Sequence, residues 1–359
     1  MRIAMFGATG YGGTEAMRLL CERTDVEVAW LGSDRLAGCP VAEALPQFAG
    51  TAMGELRFSP QQEARELSQV DVALLALPHG EARMLVPTLL QQGIRVIDFS
   101  GDFRLPDDVY AAWYGSELGA YDGPSPVYGL PEVYREAIVG AQLVANPGCY
   151  ATCAELALLP LVESGLALTD RLMIDAKSGV SGAGKKPSSG THFVEVQESV
   201  RAYKVGAHQH TPEIEQVLAA TVRRRRPCAN DEMDATADAP VQVLLTTQLL
   251  PVKRGIYLTA YVPLKEEMSA ETLQSLYEER YREEPFVRIN PYGASAEMRH
   301  VIGTNLCEIS VHLDRRTQTA LIVATIDNLG KGAAGQAIQN LNVMFGRSET
   351  LGLSMLPWM

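Results

Sequence analysis

The chain has 359 residues, 47% of them hydrophobic and 21% charged, with a formal net charge of −12. That balance describes a globular protein long enough for two domains, and its acidic excess argues against nonspecific nucleic-acid binding, which needs basic patches. The six cysteines form no CxxC pair, so neither a disulfide framework nor a zinc site is expected, and a reducing, cytoplasmic compartment fits.

Ile3 to Phe6 reads as a short apolar strand that enters Gly7-Ala8-Thr9-Gly10-Tyr11-Gly12-Gly13, followed by a helical run from Glu15 to Leu20. Strand, glycine turn and helix form the context of a dinucleotide site: glycines let the backbone approach a pyrophosphate, which then sits on the helix N-terminus. Gly7, Thr9, Gly10, Tyr11, Gly12 and Gly13 are therefore cofactor-binding candidates. A second strand, Val26 to Leu31, ends at Gly32-Ser33-Asp34-Arg35. Ser33 and Arg35 suit the 2′-phosphate of NADP, whereas Asp34 suits the ribose hydroxyls of NAD. Two further strands, 71–77 and 95–99, are separated by a helix from about Glu81 to Gln92. They place Pro78, His79 and Arg104 just past strand ends, where ligands of doubly wound sheets bind. The Pro-, Gly- and Tyr-rich segment 105–131 reads as an ordered irregular loop.

Leu143-Val144-Ala145 is the last strand of this first domain, and Asn146-Pro147-Gly148-Cys149 follows it. The turn places Cys149 on the first turn of a helix running to about Leu161. Such a position, with roughly half a positive charge and unpaired N–H groups, favours a thiolate and can stabilise an oxyanion. A buried structural cysteine is the other reading of the same residues.

A strand over 171–177 leads into Ser178-Gly179-Val180-Ser181-Gly182-Ala183-Gly184, an ordered loop suited to a phosphate or a nicotinamide amide. His208-Gln209-His210 precedes Thr211-Pro212, a helix start, so two histidines share one face of an extended segment. One can serve as acid/base while the other holds substrate. Polar loop histidines, or two ligands of a metal site with no obvious third, are the alternatives, and no metal is expected. The segment 223–240 passes from arginines to an acidic, alanine-rich run and reads as a surface excursion. Strands over 241–246, 256–262, 307–313 and 320–326, with a helix over about 270–283, suggest an α+β second domain with a mixed or antiparallel sheet. A last helix opens near Asp327-Asn328 and runs through Met344.

With these residues in view, the chain resembles the N-acetyl-γ-glutamyl-phosphate reductase family, relatives of the aspartate-semialdehyde dehydrogenases. The carrying stretches are Gly7 to Gly13, Leu75-Ala76-Leu77-Pro78-His79-Gly80, Asn146-Pro147-Gly148-Cys149-Tyr150, His208-Gln209-His210-Thr211-Pro212-Glu213 and Asp327 to Ala337. Gln209 departs from the arginine usual between the paired histidines. The resemblance implies a Rossmann-type NADP-binding domain over 1–146, completed by 327–359, and a catalytic and dimerisation domain over 147–326. It implies NADPH-dependent reduction of an acyl phosphate through a Cys149 thioester, with His208 as acid/base and His210 as runner-up. Arg104, Asn146, Arg254 and Glu213 become substrate-binding candidates. Pro78, His79, Ser178, Gly179 and Asn328 join Ser33, Arg35 and the glycine loop around the cofactor. A homodimer or homotetramer is implied. A reductase of a sister acyl phosphate (aminoadipyl or aspartyl) and a nonenzymatic NADP-binding sensor are the competing readings.

Overall fold

The computed structural model describes residues 1–67, 69–225 and 240–358, so most of the excursion over 223–240 lies outside the described residues. The chain divides into two compact units. One is Met1–Gly148 with Ala333–Ser354, and the other is Cys149–Gly332 with Met355–Met359.

Unit 1 is built on β1 (Arg2–Phe6), β2 (Glu27–Gly32), β3 (Val72–Leu75), β4 (Arg95–Asp98), β5 (Val127–Tyr128) and β6 (Leu143–Ala145). Their order is β2-β1-β3-β4-β6-β5, and every pairing is parallel. β1 from Ile3 onward and all of β3 are buried, as expected for parallel strands covered on both faces. The crossovers carry α1 (Tyr11–Cys21), α2 (Val41–Ala44), α3 (Ala82–Gln91), α4 (Asp107–Tyr114) and α5 (Pro131–Val139). Phe6, Leu75, Val86, Leu89, Phe103 and Leu143 belong to one of its core clusters.

The segment read as an irregular loop therefore holds a helix, α4. Its start follows Pro106 and carries Asp107 and Asp108, acidic residues that favour a helix N-terminus. Tyr110 and Tyr114 stack at 4.1 Å along it, and Gly115 ends it with φ of +72°. Proline and glycine at its two ends gave the stretch its loop-like composition.

Unit 2 contains β7 (Leu172–Gly179), β8 (Arg201–Tyr203), β9 (Val243–Leu250), β10 (Ile256–Pro263), β11 (Val287–Ile289), β12 (Cys307–Asp314) and β13 (Thr319–Ile326). The order is β11-β12-β13-β10-β7-β9-β8. It is a mixed sheet: β7 with β9 and β11 with β12 run parallel, and the other pairs antiparallel. Its helices are α6 (Cys149–Ser164), α7 (Phe193–Val196), α8 (Thr211–Arg225) and α9 (Ala270–Tyr281).

Every residue of α6 from Tyr150 to Val162 is buried. Pro160 lies inside this helix, which runs past the expected end near Leu161. A proline lacks the N–H that would bond the carbonyl four residues back. Here the Tyr281 hydroxyl donates to that carbonyl, Leu156 O, at 2.5 Å, and the Tyr277 hydroxyl donates to the next one, Ala157 O, at 2.7 Å.

The final helix, α10 (Gly335–Met344), returns to unit 1. The expected boundary at Asp327 falls instead after Gly332, because Asp327 and Asn328 are bonded within unit 2. Residues 355–358 also belong there: Trp358 donates its N–H to Ile302 O at 2.9 Å, and its ring lies 4.7 Å from the Arg254 guanidinium. Among the described residues no helix is long and apolar enough to cross a membrane.

Candidate active site

In unit 1 the glycine loop is shaped by close backbone approach. Gly7 has φ of +72°, and a Cβ there would lie 2.1 Å from Ala76 O. A Cβ on Gly13 would lie 2.2 Å from Gly7 O, so only glycine lets α1 pack against the loop. No side chain caps α1 at Gly10, and its first turn carries no acidic residue. These features fit a dinucleotide pyrophosphate on the helix N-terminus. Tyr11 is exposed, and Thr9 and Gly12 belong to the same turn. At the end of β2, Arg35 is exposed, while the Asp34 carboxylate accepts the Gln61 N–H at 2.7 Å. That bond engages one oxygen of the carboxylate that would bind the ribose of NAD and leaves Ser33 and Arg35 as the NADP-type pair.

The loops after β3 and β4 are sewn together. His79 accepts the Gly101 N–H on Nδ1 at 2.8 Å and meets the Tyr114 ring edge-on at 4.9 Å. Asp102 accepts the N–H groups of Gly80 and Arg83 at 2.7 and 3.2 Å. Asp98, completely buried, accepts the Ser100 N–H at 3.0 Å and lies 2.6 Å from the Ser100 hydroxyl. Burial pushes its pKa up to about 7 against the opposing effect of these bonds. The knot fixes the loop that bears Arg104, whose guanidinium donates to Phe99 O at 2.6 Å. Pro78, on the loop after β3, is exposed.

In unit 2, Cys149 is the first residue of α6, and no acidic side chain lies in the first turn of that helix. Next to it in the helix, Tyr150 packs with Tyr203, His208 and His210. The two phenol oxygens are 2.9 Å apart. The His208 ring meets Tyr150 at 5.2 Å, Tyr203 at 5.8 Å and His210 at 4.7 Å, all near edge-on. Burial raises the pKa of Tyr203 to about 12 and that of Tyr150 further, so both phenols stay neutral. Burial, with a smaller contribution from the Lys204 charge, lowers His208 to about 4. Its Nδ1 accepts the His210 N–H at 3.2 Å, which puts the proton of the neutral ring on Nε2. Such a ring donates from Nε2 and is a poor base there. The expected order is therefore reversed, and His210 becomes the better acid/base candidate. Glu213, on the first turn of α8, is completely buried.

Two substrate candidates have other partners. Arg254 pairs with Asp327 through two nitrogen–oxygen contacts. Asn146 accepts from Asn340 at 3.0 Å and donates to Ala333 O at 3.1 Å. Each polar atom of the Asn146 side chain is thus engaged within unit 1, and the Arg254 guanidinium is committed to a carboxylate within unit 2. Asn328 donates to the Ser181 hydroxyl at 3.0 Å and accepts the Gly255 N–H at 2.7 Å, which ties β13 to the loop after β7. At the end of β7 the Ser178 hydroxyl donates to Gly179 O at 3.0 Å, and Gly179 packs on the Arg254 backbone.

Residues that motif reading missed include Gly332 and Tyr203. A Cβ on Gly332 would lie 2.8 Å from the Cys149 Cβ, so glycine is what lets the 327–332 segment lie against the thiol-bearing residue. The glycines flanking Lys331 were the available signal. Tyr203 lies on a three-residue strand with no distinguishing pattern.

A parallel dinucleotide-type sheet, a mixed-sheet unit opening on a helix-start cysteine and a neighbouring histidine pair together define a semialdehyde dehydrogenase. Residues 2–141 match the family model "Semialdehyde dehydrogenase, NAD binding domain", and residues 149–328 match "Semialdehyde dehydrogenase, dimerisation domain". The chain is 43% identical over 366 residues to an N-acetyl-gamma-glutamyl-phosphate reductase of Brevibacillus brevis, covering 99% of each. It is equally similar over 359 residues to one of Bacillus cereus, again covering 99% of each. The chain belongs to the N-acetyl-gamma-glutamyl-phosphate reductase family. Among solved structures it resembles aspartate semialdehyde dehydrogenase II from Vibrio cholerae, with TM-score 0.70 at 19% identity over 96% of this chain and 98% of that one. It likewise resembles the Candida albicans enzyme solved with NADP, with TM-score 0.68 at 15% identity over 96% and 99%.

Proposed function

We propose that the protein reduces N-acetyl-γ-glutamyl phosphate to N-acetylglutamate 5-semialdehyde with release of phosphate, using NADPH, as a cytoplasmic step of arginine biosynthesis. The observation that carries the chemistry is Cys149 at the start of α6, followed by Tyr150, against whose ring His208 and His210 pack. The Cys149 thiolate attacks the γ-carbonyl, the carbon–oxygen bond to phosphorus breaks, and phosphate leaves from a thioester. Amide groups of the first turn of α6 stabilise the oxyanion. When bound, NADPH supplies the hydride that converts the thioester to the aldehyde and returns the thiolate. His210 moves the proton, and His208 donates from Nε2 to orient the acyl oxygen. Arg104 suits the phosphate and Glu213 the substrate end of α8. Ser33, Arg35 and the glycine loop would hold the cofactor, with Pro78 on the loop after β3 of the same unit.

The same reading includes self-association through unit 2. On the sheet face opposite Ile174 and Ala176, Met173 is in register with Leu244 on β9 and Tyr261 on β10. These three apolar side chains are 40%, 58% and 37% exposed in the single chain, and a second copy would cover the row. A homodimer, or a homotetramer built from it, follows.

The reverse assay tests the activity: NADP reduction followed with N-acetylglutamate semialdehyde and phosphate. Turnover that needs phosphate, is lost in Cys149→Ser, and leaves an acyl mass on Cys149 supports the reading. Preference for aspartyl or aminoadipyl substrates would identify a sister enzyme. NADP binding without turnover on any acyl phosphate would favour a sensor.

A further inference from the structure

We infer that Asn340, on the last helix, is a positioning residue for the nucleophile. This rests on the reading of Cys149 as that nucleophile. Asn340 is completely buried. Its amide nitrogen donates to Gly129 O at 2.8 Å and to Asn146 Oδ1 at 3.0 Å. Asn146 in turn donates to Ala333 O at 3.1 Å, and its own N–H donates to Asp98 O at 2.8 Å. The turn leading into Cys149 is thus fixed at its first residue by a strand on one side and by α10 on the other. The fit is tight: a Cβ on Gly129 would lie 2.4 Å from the Asn340 amide nitrogen. The segments that supply Asn340 and Ala333 are separated from Asn146 by almost two hundred residues of sequence, as the 194-residue span of the amide pair shows.

A second amide gives an internal comparison. Gln336, also completely buried, donates to the same Gly129 O at 2.7 Å, and no bond joins its side chain to Asn146 among the described contacts. Removing Gln336 leaves the Asn340–Asn146 bond, whereas removing Asn340 leaves a buried amide in the turn without that donor. Displacement of a reacting group by about 1 Å can cost about a hundredfold in rate.

The test compares Asn340→Leu with Gln336→Leu, each losing one buried amide at Gly129. In Asn340→Leu, kcat is expected to fall about tenfold or more while KM for NADP stays within about twofold. The rate of Cys149 alkylation by iodoacetamide, read by peptide mass, falls in parallel. In Gln336→Leu both stay within about twofold of the parent. Asn340→Asp turns a carboxylate toward two acceptors, and its activity should recover as pH falls and the acid O–H can donate to Asn146. Equal losses in the two leucine variants, or no loss in Asn340→Leu, overturn the inference. If Asn340→Leu does not fold, Asn340→Ser against Gln336→Ser carries the same comparison, and equal losses overturn it. Full turnover in Cys149→Ser would instead defeat the covalent mechanism, a separate result.

Discussion

Arg254 holds Asp327 by a double contact, Nε to Oδ1 at 2.9 Å and the terminal NH2 to Oδ2 at 2.8 Å, with both side chains out of solvent. Asp327 also accepts N–H groups from Gly303, Leu329 and Gly330. The pair therefore organises the segment that runs to Gly332 beside Cys149. Removing one partner of such a pair strands a buried charge, at a cost of about 3–5 kcal/mol. Arg254→Ala is expected to lower the denaturation midpoint strongly, and Arg254→Lys to restore little, because a lysine cannot match the planar fork. A variant with unchanged denaturation and a raised substrate KM would return Arg254 to the substrate.

The two histidines should differ. His210→Asn is expected to reduce kcat by about a hundredfold or more, the usual range for losing a general acid/base. His208→Asn retains a side-chain donor and should lose less. Steady-state kinetics of both variants decide the order; a larger loss in His208→Asn would restore it as the proton carrier.

Stability against pH should show two opposing slopes. His208 titrates near 4 in the fold and 6.5 when unfolded, so between those values the unfolded chain binds more protons and stability rises with pH. Asp98 titrates near 7 in the fold and 3.8 when unfolded, so over that window the folded chain binds more protons and stability falls with pH. Asp98→Asn should remove the falling slope and leave stability rising between about pH 4 and 6.5. Chemical denaturation across that range checks it; an unchanged profile would mean that Asp98 is ionised in the fold.

Gly13→Ala should weaken NADP binding sharply while leaving Cys149 alkylation intact. The added Cβ meets Gly7 O and the Ala8 Cα, both backbone atoms, so the loop and α1 must separate. Titration calorimetry with NADP reads the first effect and iodoacetamide labelling the second. Unchanged affinity would place the pyrophosphate elsewhere.

Much of the architecture was legible in sequence. The parallel strands are apolar runs with glycine turns at their ends, and the cysteine, histidine and Asp327-Asn328 segments carry chemistry in short patterns. What was hidden depends on distant partners. Nothing local to Asn146 or Arg254 announces Asn340 or Asp327, so both looked available for substrate. The priority of His210 rests on a backbone N–H meeting the His208 Nδ1, a bond that spacing cannot reveal. The end of α6 lies at Ser164, three residues past the expected Leu161, because no proline or glycine signal marks the stop within the helix's last turn.

The return of α10 to unit 1 also bears on the order of synthesis. Gln336 and Asn340 find their acceptors at Gly129 and Asn146, and Arg95 donates to Met344 O at 2.8 Å. On the ribosome the first 148 residues emerge long before those partners exist, whereas residues 149–332 form a continuous stretch. The nucleotide-type unit must then wait, incompletely closed, until the final segment is translated, and the turn before Cys149 reaches its working geometry last. A chain cut short before Ala333 would be expected to leave its first unit loosely formed and its thiol poorly set, even with the second unit folded.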